Sequence, residues 1–282
     1  MDGEKLRKNI FLAAYAAGVG HLASSFSLVE ILQTLYLGNV MRYDPHNPAW
    51  EQRDILILSK GHGALALYSV LAECGYFSEN ELWHFCRPGT ILGGEPNMLE
   101  CPGVEASTGS LGHGLSIGVG MALALKSDGR SNHVYVIVGD GECQEGSIWE
   151  AAISASAFGL DNLTMIIDNN RIQKMNFTEK IIGPYTLEEK FAAFGWEVLT
   201  CDGHNTEAIK NALTGGCHAG KAHCLVAQTV KGKGLSLMEN NPAWHWRMPS
   251  RKELRTFQAE LHITAEELEA VRRESEQCKK HI

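Results

Sequence analysis

The sequence has no uninterrupted run of eighteen apolar residues in its 282 positions, so no transmembrane helix is expected. Its first segment also lacks the apolar stretch and cleavage pattern of an export signal, because the apolar residues there recur at helical spacing instead. None of its 8 cysteines belongs to a C-x-x-C pair, which favours reduced thiols. Together these absences predict a cytoplasmic protein.

The sequence is also poor in positive charge. Its 25 lysines and arginines stand against 33 aspartates and glutamates, and the basic residues form no long cluster. Because binding to nucleic acid or to an anionic membrane depends on concentrated positive charge, neither is expected as the main partner. The length and the 44% hydrophobic content, without internal repeats, suit one large α/β domain or two small ones.

A strand, a glycine turn and a helix follow one another in the middle of the chain. Val134 to Val138 is a short apolar run rich in β-branched residues, which is typical of a central strand in a parallel sheet. The run ends in Gly139-Asp140-Gly141, where glycine permits a sharp turn and the close approach of a ligand. Helical spacing from about residue 146 to 158 is followed by a second apolar strand, Leu163 to Ile167. This order predicts a βαβ unit.

Polar side chains stand directly after both predicted strands. Asp140 follows the first strand, and Asn170 follows the second. The carboxyl ends of neighbouring parallel strands share one edge of a sheet, where ligands of open α/β sheets bind, so both side chains are expected there. One carboxylate, one amide oxygen and nearby main-chain carbonyls form an oxygen-only site, which suits Mg²⁺ bound together with a phosphate group.

The same stretch resembles a cofactor-binding signature. Gly139-Asp140-Gly141, with Asn170 thirty residues after the aspartate, is similar to the thiamine-diphosphate signature, and the letters GDGECQEGSIWEA narrow the resemblance to the transketolase family. The resemblance implies an α/β fold in which helices flank a parallel sheet. It also implies thiamine diphosphate and Mg²⁺, or Ca²⁺ or Mn²⁺ in its place, with the metal ion held by Asp140, Asn170 and the carbonyl of Ile172.

Other segments resemble further parts of the transketolase cofactor site. Ser59 to Ala64 matches S-K-G-H-x-A, whose histidine touches the diphosphate, and Thr108 to Gly112 matches a cofactor loop. Lys231 and Lys233 lie in a T-x-K-G-x-G segment, where they suit either a phosphate group or a solvated turn. The resemblance implies that the cofactor is lined by His62, Gly109, Ser110, Leu111, Gly141, Asn170 and His245.

Three histidines are the candidate catalytic residues. His21 lies in a glycine-flanked loop after the first predicted helix, and its surroundings alone indicate an ordinary loop histidine. In the resemblance it matches a histidine that meets substrate hydroxyls, while His62 and His245 match histidines beside the cofactor. His21 and His245 are therefore expected to orient substrate hydroxyls and to relay protons.

Two positions depart from the transketolase pattern. Gly94-Glu95-Pro96 stands where the family has Gly-His-Pro, so Glu95 is the candidate third substrate contact. Its carboxylate would accept hydrogen bonds from hydroxyls but repel a nearby phosphate, so either the loop is shifted or the substrate differs from the usual sugar phosphates. Trp246 replaces a small residue after His245 and either narrows the substrate channel or packs against a partner, of which packing is favoured.

The resemblance covers only the diphosphate-binding half of a transketolase. It implies a single domain over residues 1–282, with a helical extension from about residue 250, and no counterpart of the pyrimidine-binding domain. A C-terminal transketolase subunit is therefore the expected partner, in an α2β2 heterotetramer, with Glu145 near the cofactor at the interface. The implied reaction transfers a two-carbon ketol unit from a ketose, phosphorylated or otherwise anionic, to an aldose.

Other protein classes fit the sequence less well. The α component of a 2-oxo-acid dehydrogenase shares the Gly-Asp-Gly signature but lacks the matches at Ser59 to Ala64 and at Thr108 to Gly112. A regulatory subunit that keeps the fold without catalysis conflicts with the intact Asp140, Asn170 and His62, although Glu95 and Trp246 fit it. A dinucleotide site is not expected, because Gly112-His-Gly114 follows no strand and lacks the third glycine at the required offset. No G-x-x-x-x-G-K-[ST] phosphate-binding loop occurs.

Overall fold

Five parallel strands form one sheet in the computed structural model, which describes residues 3–184, 186–215 and 219–278. Their order across the sheet is β1-β2-β3-β5-β4, and every neighbouring pair is parallel. Parallel neighbours need long crossover connections, which are here mostly helical. In chain order the strands are β1 (Ile55–Leu58), β2 (Val134–Gly139), β3 (Leu163–Asn169), β4 (Glu197–Asp202) and β5 (His223–Gln228).

Helices cover both faces of the sheet. Short 3-10 helices lie at Gly61–Gly63, Glu79–His84, Glu142–Gln144 and Pro242–Trp244. Within the described ranges, none of the helices is long and apolar enough to cross a membrane. The α-helices are α1 (Gly3–Ala17), α2 (Leu22–Phe26), α3 (Val29–Leu37), α4 (Ala64–Glu73), α5 (His113–Ser127), α6 (Gly146–Ala157), α7 (Thr178–Ile182), α8 (Leu187–Ala193), α9 (Thr206–Thr214), α10 (Leu254–Glu260) and α11 (Ala265–Cys278).

The apolar runs of the sequence become the inner strands. All residues of β1 and β2 are buried, and β3 is buried up to Asp168. By contrast, β4 lies at one edge of the sheet and leaves Leu199 39% exposed. Strands buried on both faces carry near-continuous apolar sequences, which explains why they could be recognised from sequence.

Alternate side chains of the strands enter two separate hydrophobic cores. Tyr135 and Ile137 of β2 join the core formed with α1, α3 and α4. The residues between and beside them, Val134, Val136 and Val138, join the core formed with α5, α6 and α8. Successive strand residues face opposite sides of a sheet, so one strand serves both cores. The predicted α/β fold, a parallel sheet flanked by helices, is confirmed.

One segment differs from the sequence-based expectation. The polar sequence of residues 173–182 predicts a loop near the cofactor, but the segment contains the helix α7. Thr178 at the start of α7 donates a hydrogen bond to Asp140 over 2.8 Å. The region after residue 250 contains α10 and α11. Helix α11 returns to the first helix, since the Ser275 hydroxyl donates to the carbonyl of Ala16 over 3.3 Å.

Helix α5 packs so closely on the sheet that Gly118 has no room for a side chain. A Cβ atom there would lie 2.5 Å from Cγ2 of Val136 in β2. Gly118→Ala is therefore expected to destabilise the fold by about 1–3 kcal/mol, the usual cost of overpacking a core. Urea denaturation measures this change directly.

The matched control is Gly120→Ala on the same helix. Nothing lies within 4 Å of a Cβ atom added at Gly120. This substitution is expected to stabilise the fold by about 0.5–1 kcal/mol, because alanine loses less backbone freedom than glycine in a helix. Equal unfolding free energies for the two variants would contradict the close approach of α5 to β2.

Candidate active site

A pocket of about 350 Å³ opens at the carboxyl edge of the sheet. Gly139 of β2 pairs with Asp168 of β3, and the main-chain N–H of Asp140 donates to the carbonyl of Asp168 over 3.2 Å. Asp140 and Asn170, which follow these two strands, both line the pocket. The expected meeting of the two strand ends is therefore present.

The pocket collects most of the residues singled out in the sequence. Ser110 is exposed and is not part of the pocket wall, and neither Lys233 nor Trp246 lines it. The remaining residues come from segments far apart in the chain, which the fold brings to one edge of the sheet. They are His21, His62, Glu95, Gly109, Leu111, Asp140, Gly141, Glu145, Asn170, Ile172 and His245.

Three histidine rings form a cluster in the wall of the pocket. The ring of His21 has its centroid 5.4 Å from those of both His62 and His245, and the latter two are 5.9 Å apart. Burial, followed by the charges of Lys231 and Lys60, lowers the pKa of His21 to about 4. Burial, with Lys231 next, also lowers the pKa of His245 to about 3, and burial holds the pKa of His62 well below its usual value. Neutral rings can both donate and accept hydrogen bonds, as hydroxyl recognition requires.

A buried lysine beside the cluster was missed in the sequence. Lys60 is 1% exposed, and its ammonium pairs with the carboxylate of Asp168, which is fully buried. The hydroxyl of Ser27 donates to the same carboxylate over 2.7 Å, and the hydroxyl of Thr229 donates to its other oxygen. A buried ion pair needs such extra hydrogen bonds to offset desolvation. The only signal in the sequence was the lysine of the Ser59 to Ala64 segment.

Burial distinguishes Lys231 from Lys233, which the sequence alone left equivalent. Lys231 is 2% exposed, whereas Lys233 lies partly in solvent. The Lys231 ammonium donates to the carbonyl of Ile172 over 3.0 Å and lies 3.1 Å from Nδ1 of His245. Burial, followed by the charge of Lys60, lowers the pKa of Lys231 to about 8. Lys231 therefore faces the site, and Lys233 does not line it.

A buried glutamate fixes the glycine turn against the predicted cofactor loop. Glu142 is 2% exposed and accepts hydrogen bonds from the Ser59 hydroxyl (2.5 Å), from Gly112 N–H (2.8 Å) and from Gly139 N–H (3.0 Å). One carboxylate thus joins the ends of β1 and β2 to the start of α5. Sequence reasoning missed Glu142, although an acid directly after Gly-Asp-Gly was visible.

The oxygen atoms at the strand ends fit a hard divalent cation. The buried Asp140 carboxylate accepts from the Thr178 hydroxyl over 2.8 Å, and Oδ1 of Asn170 accepts from Ile172 N–H over 3.1 Å. Burial disfavours the ionised carboxylate of Asp140 and so raises its pKa. A cation beside the carboxylate would stabilise its ionised form. The described residues hold no group of three or more histidines, cysteines, aspartates or glutamates placed to bind a metal ion. A cation here would therefore depend on oxygen atoms of a bound phosphate, as Mg²⁺ commonly does.

The pocket also fits an anionic cofactor. Lys60, Lys174 and Lys231 all line it. Gln173 lines it too, and its side-chain Nε2 is buried without a hydrogen-bond partner among the described residues. Gly109 has a φ of +141°, a conformation that favours glycine, so this part of the loop presents main chain to the pocket. The lysine ammonium groups, the unpaired amide of Gln173 and the main chain at Gly109 can all meet the oxygen atoms of a diphosphate.

Glu95 enters the same pocket between two glycines. A Cβ atom at Gly61 would overlap Oε2 of Glu95, and one at Gly109 would lie 3.2 Å from its Cγ. Burial raises the pKa of Glu95 to about 7. Its Oε2 is buried and makes no hydrogen bond within the described part of the chain. The register of the loop therefore does place the carboxyl group at the pocket.

Trp246 lies over the histidine cluster. Its ring centroid is 4.2 Å from that of His21, and the residue is 55% exposed. One part of the ring thus contacts a pocket histidine, while another part remains open to solvent. This placement agrees with a narrowed channel and leaves the exposed part available to a partner.

Comparison with known proteins identifies the chain's relatives. Residues 7–281 match the family described as transketolase, thiamine diphosphate binding domain. The chain is 46% identical over 229 residues to the 6-deoxy-6-sulfo-D-fructose transketolase subunit SqwG of Clostridium sp. (strain MSTE9), covering 81% of this chain and 83% of that protein. It is 42% identical over 255 residues to an apulose-4-phosphate transketolase subunit of Actinobacillus succinogenes, covering 90% of this chain and 92% of that protein.

Solved structures give the same result for the fold. The transketolase of Campylobacter jejuni superposes with a TM-score of 0.84 at 28% identity over 99% of this chain. The match covers 46% of that transketolase, so this chain spans less than half the length of the solved enzyme. The match over residues 7–281 therefore shows that the chain belongs to the transketolase family and corresponds to the thiamine-diphosphate-binding domain of that family.

Proposed function

We propose that this chain is the N-terminal, diphosphate-binding subunit of a split transketolase. In this proposal residues 1–282 form one cofactor-binding domain, with a helical extension from about residue 250. The observation that carries the proposal is the convergence of the metal-site oxygens, the buried lysines and the histidine cluster on one pocket. The two relatives named as transketolase subunits support it, because the match to this chain covers 83% and 92% of their lengths.

The chain's residues divide into those that hold the cofactor and those that meet the substrate. Thiamine diphosphate, when bound, supplies the chemistry that breaks and forms the carbon–carbon bond. Asp140, Asn170 and the carbonyl of Ile172 would hold Mg²⁺, and His62 and Lys231 would meet the negative charge of the diphosphate. Main chain at Gly109 to Leu111 and at Gly141 completes the wall. The protein thereby places the cofactor without itself supplying the reactive carbon.

His21 and His245 orient the substrate. Both rings are neutral at pH 7 in the free chain, because their pKa values are lowered to about 4 and about 3. A neutral imidazole accepts a hydroxyl proton at one nitrogen and donates at the other, so the pair can bind two hydroxyls or pass a proton between them. The proposed reaction transfers a two-carbon ketol unit from a ketose to an aldose. Glu95 is the third substrate contact.

The donor is a ketose that carries an anionic group. The names of the two relatives specify a sulfonated fructose and a phosphorylated apulose, both anionic ketoses. Glu95 constrains where the anionic group can lie, because an ionised carboxylate repels a phosphate or sulfonate placed beside it. The uncharged ketol end of the donor therefore faces Glu95, and the anionic end points away from it.

A partner subunit covers the mouth of the pocket. Large apolar residues are exposed in the same short segments that carry His21, Glu95, Ile172 and His245. Exposed apolar groups clustered around a polar site indicate an interaction surface. The partner is a C-terminal transketolase subunit with the pyrimidine-binding domain, assembled as α2β2, and Glu145 faces it near the cofactor. The exposed apolar residues in these four segments are Val19, Met98, Leu99, Met175 and Trp246.

The proposed location is the cytoplasm. The seven cysteines within the described ranges are all free thiols. Reduced cysteines are the rule in that compartment. The eighth, Cys217, lies outside the described residues.

The function is tested by comparing the purified chain with the assembled complex. The chain alone is expected to show no ketol transfer and weak binding of thiamine diphosphate, because one wall of the pocket is missing. Adding the partner subunit is expected to restore both. Coupled assays with a ketose phosphate donor and an aldose acceptor measure transfer, and titration calorimetry measures cofactor binding. Full transfer by the isolated chain would overturn the split-enzyme proposal, whereas oxidative decarboxylation of a 2-oxo acid would indicate the dehydrogenase alternative.

A further inference from the structure

A histidine outside the pocket holds the segment that follows β5. His204 lies in the turn after β4, and its Nδ1 is 2.8 Å from Oε2 of Glu30 in α3. The main-chain N–H of Val230 donates to Nε2 of the same ring over 2.8 Å. His204 does not line the cofactor pocket. Its contacts nevertheless reach the residue directly before Lys231, which does.

These contacts fix the proton on the His204 ring. A main-chain N–H can only donate, so Nε2 must accept and Nδ1 must carry the proton. Nδ1 therefore donates to the Glu30 carboxylate. Burial raises the pKa of Glu30, but the hydrogen bond from His204 and the charge of Arg7 outweigh this effect and lower it. The ionised Glu30 thus orients the ring so that its acceptor faces Val230.

The same network anchors the segment on the other side of Lys231. An Arg7 nitrogen lies 2.7 Å from Oε1 of Glu30, and Arg7 Nε donates to the carbonyl of Lys233 over 2.7 Å. Glu30 therefore connects two anchors of the segment, one at Val230 through His204 and one at Lys233 through Arg7. Both pairs of side chains are mostly buried, so water competes little for these hydrogen bonds.

Packing leaves the segment little freedom to move as a body. A side chain at Gly203 would overlap a methyl group of Thr229, so the turn carrying His204 lies directly against the end of β5. At Gly234 the backbone has a φ of +91°, and an added Cβ atom would lie 2.9 Å from Cδ of Arg7. Close packing and the two anchors together set the path of the main chain through Lys231.

We propose that His204 is a positioning residue that acts on the cofactor pocket through Lys231. The Lys231 ammonium lies 3.0 Å from the carbonyl of Ile172 and 3.1 Å from Nδ1 of His245. Losing the acceptor for Val230 N–H frees the main chain beside Lys231 and displaces its ammonium from both partners. The effect on Lys231 follows from the fold alone. The effect on thiamine diphosphate rests also on the proposed function, so the two are measured separately.

Two substitutions separate the contacts of His204. In His204→Gln the side-chain oxygen reaches the place of Nε2 and can still accept from Val230 N–H. In His204→Asn the shorter amide reaches only the place of Nδ1, so it can still donate to Glu30 but offers Val230 no acceptor. A positioning role through Val230 predicts a defect in His204→Asn that His204→Gln largely rescues.

The first measurement uses the purified chain and needs no cofactor. Lys231 and Lys60 are both almost fully buried, so an acylating reagent followed by peptide mass spectrometry should modify neither in the wild type. In His204→Asn, acylation of Lys231 is expected to rise at least about tenfold, as follows when a buried hydrogen bond is broken and its donor left unpaired. Lys60 serves as the internal control and should stay protected, because its ammonium pairs with Asp168 and not with the segment that His204 anchors.

The second measurement uses the complex assembled with the partner subunit. His204→Asn is expected to weaken thiamine diphosphate binding about tenfold, and His204→Gln less than about threefold, by the same loss of one buried hydrogen bond. Asn132→Ala is the matched control at the opposite end of β2, where the Asn132 amide donates to the carbonyls of Glu51 and Arg53. It is expected to lower the unfolding temperature without changing cofactor affinity.

The outcomes distinguish the proposal from its alternatives. Equal acylation of Lys60 and Lys231 in His204→Asn would mean general loosening of the fold and would overturn the positioning role. Unchanged acylation of Lys231 would overturn it as well. Selective exposure of Lys231 in a complex whose wild type binds no thiamine diphosphate would support the positioning role and reject the proposed function instead.

Discussion

Replacing Asp140 by alanine is expected to abolish the metal-dependent binding of thiamine diphosphate to the assembled complex. Asp140 supplies the one carboxylate of the proposed metal site, and no cluster of three or more acidic, histidine or cysteine side chains lies elsewhere in the described ranges to bind the ion instead. Loss of an outer partner of a metal ligand already costs about 10–100-fold in affinity, so loss of the ligand itself should exceed about a hundredfold. Titration calorimetry with thiamine diphosphate, with and without Mg²⁺, measures the effect.

Thr178→Val is the matched control for Asp140→Ala. The Thr178 hydroxyl donates to Oδ2 of Asp140, and valine has nearly the same shape without the hydroxyl. Its loss should leave the ligand in place but less well oriented, so an intermediate weakening of about tenfold is expected, as for other outer partners of a metal ligand. Near-ultraviolet circular dichroism checks that both variants keep the fold. Unchanged calorimetry for Asp140→Ala would rule out the proposed metal site.

Two inner strands of the sheet could be predicted from the sequence, but the order of the strands could not. The apolar runs Val134 to Val138 and Leu163 to Ile167 appear as β2 and β3, because buried parallel strands carry a local signal. The insertion of β5 between β3 and β4 has no such signal. It depends on which helices cover which face, and that is decided by packing between segments far apart in the sequence.

Single site residues at strand ends could be predicted from the sequence. Contacts between residues far apart in the chain could not. Asp140 and Asn170 stand at strand ends and were recognisable one at a time. The pairing of Lys60 with Asp168 joins residues 108 positions apart, and the hydrogen bond from Ser27 spans 141. Lys231 and Lys233 have the same side chain in the same short segment, so only the tertiary fold shows which of them is buried.

Glu95→His is expected to change the choice of ketose donor more than the affinity for the cofactor. The Glu95 carboxyl lines the pocket, and its Oε2 is buried without a partner among the described residues, so it has free capacity to bind a substrate hydroxyl. An unmatched buried polar contact costs about 1–3 kcal/mol, so the ratio of kcat/KM between two donors should shift by about tenfold or more. The measurement compares ketose phosphates with the corresponding free ketoses in the assembled complex. An unchanged donor profile would show that Glu95 does not contact the donor.

The same residue predicts a pH dependence that Glu95→Gln should remove. Burial raises the pKa of Glu95 to about 7, so its carboxyl group is mostly neutral at pH 6 and mostly ionised at pH 8. The neutral group can donate a hydrogen bond, whereas the ionised group only accepts and repels an anionic donor, so KM for ketose phosphates should rise with pH across this window. The stability of the fold should also fall as pH rises, because the pKa of Glu95 is higher in the folded chain than in the unfolded chain. Glutamine keeps the shape and the neutral charge, so the Glu95→Gln enzyme should retain the low-pH KM at pH 8. A wild-type KM that does not change between pH 6 and pH 8 would show that Glu95 takes no part in donor recognition.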